Sequence, residues 1–103
     1  MIVHRTIVGV AKQSETRLRI EGCLDAITAV ELRPVIDAVV GDPPRKVVVD
    51  LAALRLIDSS GVGALVSLYK RVRAKGGAVS VVGLKDQPLA VFRLLRLDHI
   101  FSF

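Results

Sequence analysis

The sequence predicts a single α/β domain built on a mixed, mostly parallel sheet with an antiparallel hairpin at its N-terminus, and three observations carry that expectation. Apolar runs of strand length alternate with segments of helical periodicity, in the order ββαβαβα with an optional closing strand. The first two strands are joined by a short polar turn, which makes them a hairpin, whereas the later ones are joined through helices, which implies right-handed parallel crossovers with the helices packed on the sheet. The core material is aliphatic: 51% of the residues are hydrophobic but only 4% are aromatic, with no Trp. At 103 residues the chain makes one domain, spanning 1–103, that buries roughly two-thirds of the surface its unfolded form exposes.

Residues 2–10 and 16–22 read as the hairpin strands, around a polar Lys12-Gln13-Ser14-Glu15 turn. The second alternates, Leu18 and Ile20 inward and Arg17, Arg19 and Glu21 outward, as a half-buried strand does. Thr28-Ala29-Val30-Glu31 fits a capping box, in which the threonine and glutamate side chains satisfy each other's backbone amides. Leu32, Val35, Ile36, Val39 and Val40 continue at helical spacing until Gly41-Asp42-Pro43-Pro44 ends the helix. Pro34 conflicts with that helix, so it kinks there or starts later than Thr28.

Val47-Val48-Val49 is continuously apolar, the mark of a central strand covered on both faces, and Leu54-Arg55-Leu56-Ile57 is its lead-in to the next helix. From Gly61 onward Val62, Leu65, Val66, Tyr69 and Val72 form a buried stripe, closed by Gly76-Gly77. Residues 78–83 make the next strand. Pro88 opens a short helix with Leu89, Phe92, Leu95 and the stem of Arg96 toward the core, and 100–103 is the optional last strand.

Composition excludes several function classes. The longest apolar runs fall far short of the ~20 residues needed to cross a bilayer, and the N-terminus lacks the features of a signal peptide; a cytoplasmic protein with no membrane partner is expected. Cys23 is the only cysteine, so no internal disulfide forms, and it lacks metal-site spacing with His4 and His99. Fifteen basic against ten acidic residues give a net charge of +5. However, Lys70, Arg71, Arg73 and Lys75 crowd a helix C-terminus, where the macrodipole favours cations. No aromatic residues interleave with them as in a single-strand binder, so no nucleic-acid partner is expected.

The stretch with chemistry in it is Asp58-Ser59-Ser60-Gly61-Val62-Gly63, at the junction of a buried strand and a helix. Loops at the carboxyl ends of such strands converge on one sheet edge, which brings Asp25, after the second strand, near Asp58. A serine hydrolase would need a base beside Ser59 or Ser60, and neither histidine lies on a loop that reaches them. A phosphate-binding loop would need a Gly-x-x-x-x-Gly-Lys pattern, which is absent. Two readings stay open: a serine that caps the helix, and a serine whose phosphorylation ejects a partner while the helix start tolerates the charge.

These residues together, Gly22-x-Leu24-Asp25 with Thr28, Val47-Val48-Val49-Asp50-Leu51, Ile57-Asp58-Ser59-Ser60-Gly61-Val62-Gly63, Gly76-Gly77 and the closing segment 94–101, resemble the STAS domain of bacterial anti-sigma factor antagonists. The resemblance implies a non-enzymatic partner switch. The unmodified antagonist binds an anti-sigma factor, usually a serine kinase that itself holds ATP and magnesium, and so frees a sigma factor. Phosphorylation on the first serine, here Ser59, switches it off, and a serine phosphatase resets it. Asp25, Asp58, Ser59, Ser60 and Gly61 would border the partner surface, with no cofactor on this chain and a monomeric or weakly dimeric state. Cys23 stands where many relatives carry Glu, and the basic charge departs from acidic members. Related domains serve as subunits of lipid-transport ABC machinery, stressosome scaffolds and cytoplasmic parts of anion transporters; the first is the alternative.

Overall fold

The computed structural model describes residues 1–9, 14–41 and 44–101. The fold is organised around β2 (Glu15–Leu24), where Thr16, Leu18, Ile20 and Leu24 are buried while Arg17 and Arg19 are exposed, the two-residue period of a strand with one face on a core. One edge of β2 pairs antiparallel with β1 (Ile2–Val8), Val3 opposite Ile20 and Arg5 opposite Leu18. The other edge is shared. β3 (Lys46–Asp50) runs parallel to residues 15–19, and β4 (Leu54–Ile57) takes over at Gly22 to Leu24 after a register irregularity between Gly22 and Cys23. β5 (Ala78–Val82) adds in parallel outside β3, giving the order β1-β2-β3-β5 with β4 beside β2.

The separate β4 is a departure from expectation, which had 54–57 as a lead-in. Its cause is local: the Asp50 carboxylate accepts from the Ala52 amide at 3.0 Å and the Leu51 carbonyl from the Leu54 amide at 3.1 Å. This turn ends β3 and sends the chain back to the free length of β2. The hairpin turn itself, at Lys12 and Gln13, lies outside the described residues. Ser14 and Glu15 do not: Ser14 is buried with its carbonyl accepting from the Arg45 amide, and Glu15 already belongs to β2.

Helices α1 (Ala26–Gly41) and α2 (Ser59–Ala74) pack on the sheet, and Leu32, Ile36, Val39, Val62, Leu65, Leu68 and Val72 join Leu18, Ile20, Val47, Val49 and Val81 in one core. The expected stripe of α2 missed Leu68, which is fully buried, whereas Val66 and Tyr69 are only partly so. α1 begins before Thr28, and it runs through Pro34. The proline removes the donor that the Val30 carbonyl would have used, but both residues are on the exposed side of the helix, where water replaces the bond. Gly41 ends α1, and Asp42 and Pro43 lie outside the described residues.

Helix α3 (Asp86–Leu94) starts two residues before Pro88 and buries Pro88 and Phe92. Leu95 is 49% exposed and Arg96 is exposed, contrary to the expectation that they face the core. The chain reverses at Arg96, whose φ of 54° is left-handed, and this turn sends Leu97 and Phe101 inward instead. A 3₁₀ turn at Leu97–His99 follows, so Ile100 and Phe101 form no strand; 102 and 103 lie outside the described residues. The Phe101 ring meets Tyr69 edge-on at 5.5 Å and Phe92 at 5.8 Å. Among the described residues no helix is long and apolar enough to cross a membrane.

Candidate functional site

Leu24 and Ile57 are register partners in the parallel β2–β4 pair, so the residues that follow them, Asp25 and Asp58, emerge side by side. The two loops touch: the Asp58 amide donates to the Leu24 carbonyl at 3.2 Å. The adjacency expected from topology is therefore present, and each aspartate begins a helix.

Asp25 caps α1. Its Oδ1 accepts from the amides of Ile27 and Thr28, each at 3.0 Å, while Thr28 Oγ1 accepts from the Asp25 amide at 2.8 Å and reaches the Cys23 carbonyl at 2.9 Å. A capping box exists here, but Thr28 is its far member and Asp25 its cap; Glu31 is not part of it. The Thr28 amide, with the Thr28 hydroxyl and the Ile27 amide, holds the Asp25 carboxyl below its ordinary value against the opposing effect of desolvation, because these donors favour the charged form.

Asp58 caps α2 in the same way. Its backbone is extended, and Oδ1 accepts from the Ser60 amide at 2.9 Å and the Gly61 amide at 3.1 Å. The serine-cap reading is thereby corrected. The aspartate one residue earlier does the capping, and the exposed side chains of Ser59 and Ser60 make no hydrogen bond within the described structure. Ser59 is the first residue of α2, and its hydroxyl is free for chemistry with another molecule.

Gly61 is buried beneath these groups. A Cβ there would lie 2.5 Å from the Leu24 carbonyl oxygen and 2.8 Å from side-chain carbons of both Leu24 and Ile57, so only glycine lets α2 start this close to the end of β2. It forms the floor of the site rather than its rim. Gln87, which sequence reasoning missed, locks the same region: its side-chain amide accepts from the Ile57 amide and donates to the Ile57 carbonyl, both at 2.9 Å. It pairs with the outer edge of β4 as a neighbouring strand would, and no periodicity signals a contact made by one side chain from a remote helix.

Around the aspartates lies a shallow cavity of about 300 Å³ lined by Cys23, Leu56 and Gln87 among others. Cys23 is half-buried, with the Arg55 guanidinium 3.6 Å from its sulfur. Beside it, α1 exposes Ile27 (75%) and Val30 (63%), large apolar groups next to a polar rim, the composition of a protein-binding surface. His4 pairs instead with Glu21 at 2.7 Å on the β1–β2 hairpin, and His99 sits in the C-terminal turn, so neither histidine is hydrogen-bonded to a serine. Among the described residues no cluster of His, Cys, Asp or Glu fits a metal ion.

A sheet of this topology with a capped Asp-Ser-Ser-Gly helix start defines a class: the chain matches the STAS domain over residues 6–103 and belongs to that family. Its relatives include the anti-sigma-F factor antagonist RsfB of Mycobacterium tuberculosis, 31% identical over 87 residues that cover 82% of this chain and 71% of the relative. An anti-sigma factor antagonist from Mycobacterium paratuberculosis superposes with a TM-score of 0.78 at 27% identity, covering 98% of this chain and 84% of that one. The Bacillus cell fate determinant SpoIIAA in its phosphorylated form shares the fold, with a TM-score of 0.70 at 20% identity over 96% of this chain and 89% of that one.

Proposed function

We propose that this domain is an anti-sigma factor antagonist. It binds an anti-sigma factor over the surface that Asp25, Asp58, Ser59 and Ser60 border and Gly61 floors, and phosphorylation of Ser59 releases it. The observation that carries the reading is the division of labour at the start of α2: Asp58 satisfies the helix amides, which leaves the exposed Ser59 hydroxyl unengaged. The name of the M. tuberculosis relative, an anti-sigma-F factor antagonist, supports the same partner class.

In this scheme the anti-sigma factor is a serine kinase that brings ATP and magnesium. Ser59 Oγ attacks the γ-phosphorus, its proton passes to a base on the kinase, and ADP leaves, so this chain contributes the acceptor and no catalytic group. The product carries about −1.5 to −2 charge at neutral pH. The helix dipole tolerates that charge, so the fold persists. At the interface the phosphoryl group adds bulk and repels acidic groups, which costs several kcal/mol at a desolvated contact, on the order of a thousandfold in affinity. A serine phosphatase restores the binding form, and the cycle runs in the cytoplasm.

The test is to incubate the purified chain with serine kinases of the same genome, ATP and magnesium, and to map phosphate by mass spectrometry. Label is expected at Ser59 and absent in Ser59→Ala. Ser59→Asp is expected to stay folded by circular dichroism while its affinity for the kinase collapses. Equal kinase affinity of the wild type and Ser59→Asp overturns the switch, and copurification with a transport ATPase without Ser59 label replaces this reading with the lipid-transport one.

A further inference from the structure

The outer edges of the sheet are finished differently. That of β4 is closed by the Gln87 side chain, and β5 keeps Val79 and Val81 buried and exposes one large apolar side chain, Val82, at 37%. β1 is the other extreme. Its seven residues pair with β2 without a bulge, and among the described residues no element pairs with its outer edge. Ile2, Ile7 and Val8 are 57%, 54% and 62% exposed. The helical layer does not cover the strand, because β2 is the only element in more than marginal contact with it. A strand of this length, without proline or bulge and with apolar groups on both faces, is a template for a further strand.

The order of residues in β1 says which strand. Ile2-Val3-His4-Arg5-Thr6-Ile7-Val8 carries apolar residues at both ends and polar ones in the middle, so it complements its own reversal. An antiparallel copy centred on Arg5 is the register that pairs all seven residues. It sets Ile2 opposite Val8 and Val3 opposite Ile7, and each of these pairs occurs twice about the two-fold axis. His4 meets Thr6, and the His4 ring is already held by Glu21 at 2.7 Å. Only the centre resists. Arg5, in no ion pair among the described residues, meets its own copy there, and like charges directly opposite each other weaken a strand pair.

We propose that β1 pairs with β1 of a second copy of this chain, antiparallel about Arg5, so that the two sheets become continuous. Val3 and Ile7, which meet, both lie on the core face of the strand, so the two helical layers fall on the same side. One strand pair buries far less than the about 1,200–2,000 Å² of a stable interface, and Arg5 opposes it, so the dimer is weak and reversible, with a Kd between about 10 μM and 1 mM. β1 and β4 lie on opposite edges of β2. The Asp25–Asp58 surfaces of both copies therefore stay open, and the proposal stands or falls separately from the partner switch.

Sedimentation equilibrium of the purified chain from about 10 μM to 2 mM tests it. Ile7→Lys places a cation opposite Val3 at both ends of the pair and is expected to weaken the dimer about tenfold or more. Arg5→Thr replaces the central like charges with a threonine pair and is expected to tighten it about fivefold. Two controls stay within about twofold of the wild type: Arg73→Gln, which removes the same charge from α2, and Leu94→Ser, which removes the most exposed large apolar side chain, at 82%. Circular dichroism verifies that each variant is folded, and Val8→Lys takes the place of Ile7→Lys if that variant is not. The proposal is overturned by a wild type that stays monomeric up to about 2 mM. It is overturned equally by Leu94→Ser weakening the dimer as much as Ile7→Lys, which moves the contact to α3, or by Arg5→Thr tightening it no more than Arg73→Gln, which reduces the effect to net charge.

Discussion

Replacing Gly61 with alanine probes the contact on which the geometry of the site depends. The added Cβ would stand 2.5 Å from the Leu24 carbonyl oxygen and 2.8 Å from carbons of Leu24 and Ile57. The first clash is with backbone, almost an ångström inside ordinary contact, so no side-chain rotation relieves it. The start of α2 must lift, at an overpacking cost of about 1–3 kcal/mol. The lift also stretches the Asp58 amide bond to the same carbonyl, worth about 1 kcal/mol. Opposing these, alanine gains about 1 kcal/mol of helix propensity over glycine. The net expectation is about 2 kcal/mol of destabilisation, a fall in Tm of roughly 10 °C for a domain of this size. Gly63, two residues on, has nothing within 4 Å of its would-be Cβ, so Gly63→Ala shows the propensity gain alone, about 0.5–1 kcal/mol of stabilisation. Urea denaturation of both variants followed by circular dichroism measures the contrast. A Gly61→Ala protein within about 0.5 kcal/mol of the wild type, below the usual scale of core overpacking, would refute the close-approach reasoning.

Three other outcomes follow from the hydrogen bonds of the site. Asp58→Ala strips the cap from α2 and is expected to lose about 1 kcal/mol in urea denaturation, with Asp58→Asn close to the wild type because it keeps the acceptor; an alanine variant as stable as the asparagine one counts against Asp58 as the cap. Gln87→Ala leaves the Ile57 amide and carbonyl without their partner, and a loss of about 1–3 kcal/mol is expected, together with faster hydrogen exchange at the Ile57 amide; unchanged exchange speaks against the clamp. The carboxyl of Asp25 is held below its ordinary value of 3.8, so its contribution to stability is complete above that pH and is lost as pH falls through the lower folded value. Acid titration of stability should therefore be flatter below about pH 4 in Asp25→Asn than in the wild type, and parallel curves would remove Asp25 from the acid response.

Legibility from sequence varied with the range of the interaction. The alternation of Leu18 and Ile20 with Arg17 and Arg19 marked β2 correctly because a strand's two faces are set by neighbouring residues. The adjacency of Asp25 and Asp58 followed from strand order alone. The caps are harder to read: Thr28 is a capping residue, but its place in the box depends on where α1 begins, and Asp25, three residues before Thr28, holds that start. Leu95 and Leu97 exchanged roles for a similar reason, since the left-handed turn at Arg96 rotates the chain after α3 and helical spacing no longer applies.

The sequence by itself determined the α/β class, the hairpin followed by parallel crossovers, the aliphatic core and the position of the Asp-Ser-Ser-Gly element at a strand-to-helix junction. Each of these rests on spacing along the chain, which periodicity and turn chemistry report directly. Only the tertiary structure decided that Asp58 rather than a serine caps α2, that Gly61 lies under Leu24, and that Gln87 bridges from α3 to Ile57. Ile57 and Gln87 are 30 positions apart and Leu24 and Gly61 are further apart still, and what joins them is the approach of whole elements, which a one-dimensional pattern does not encode.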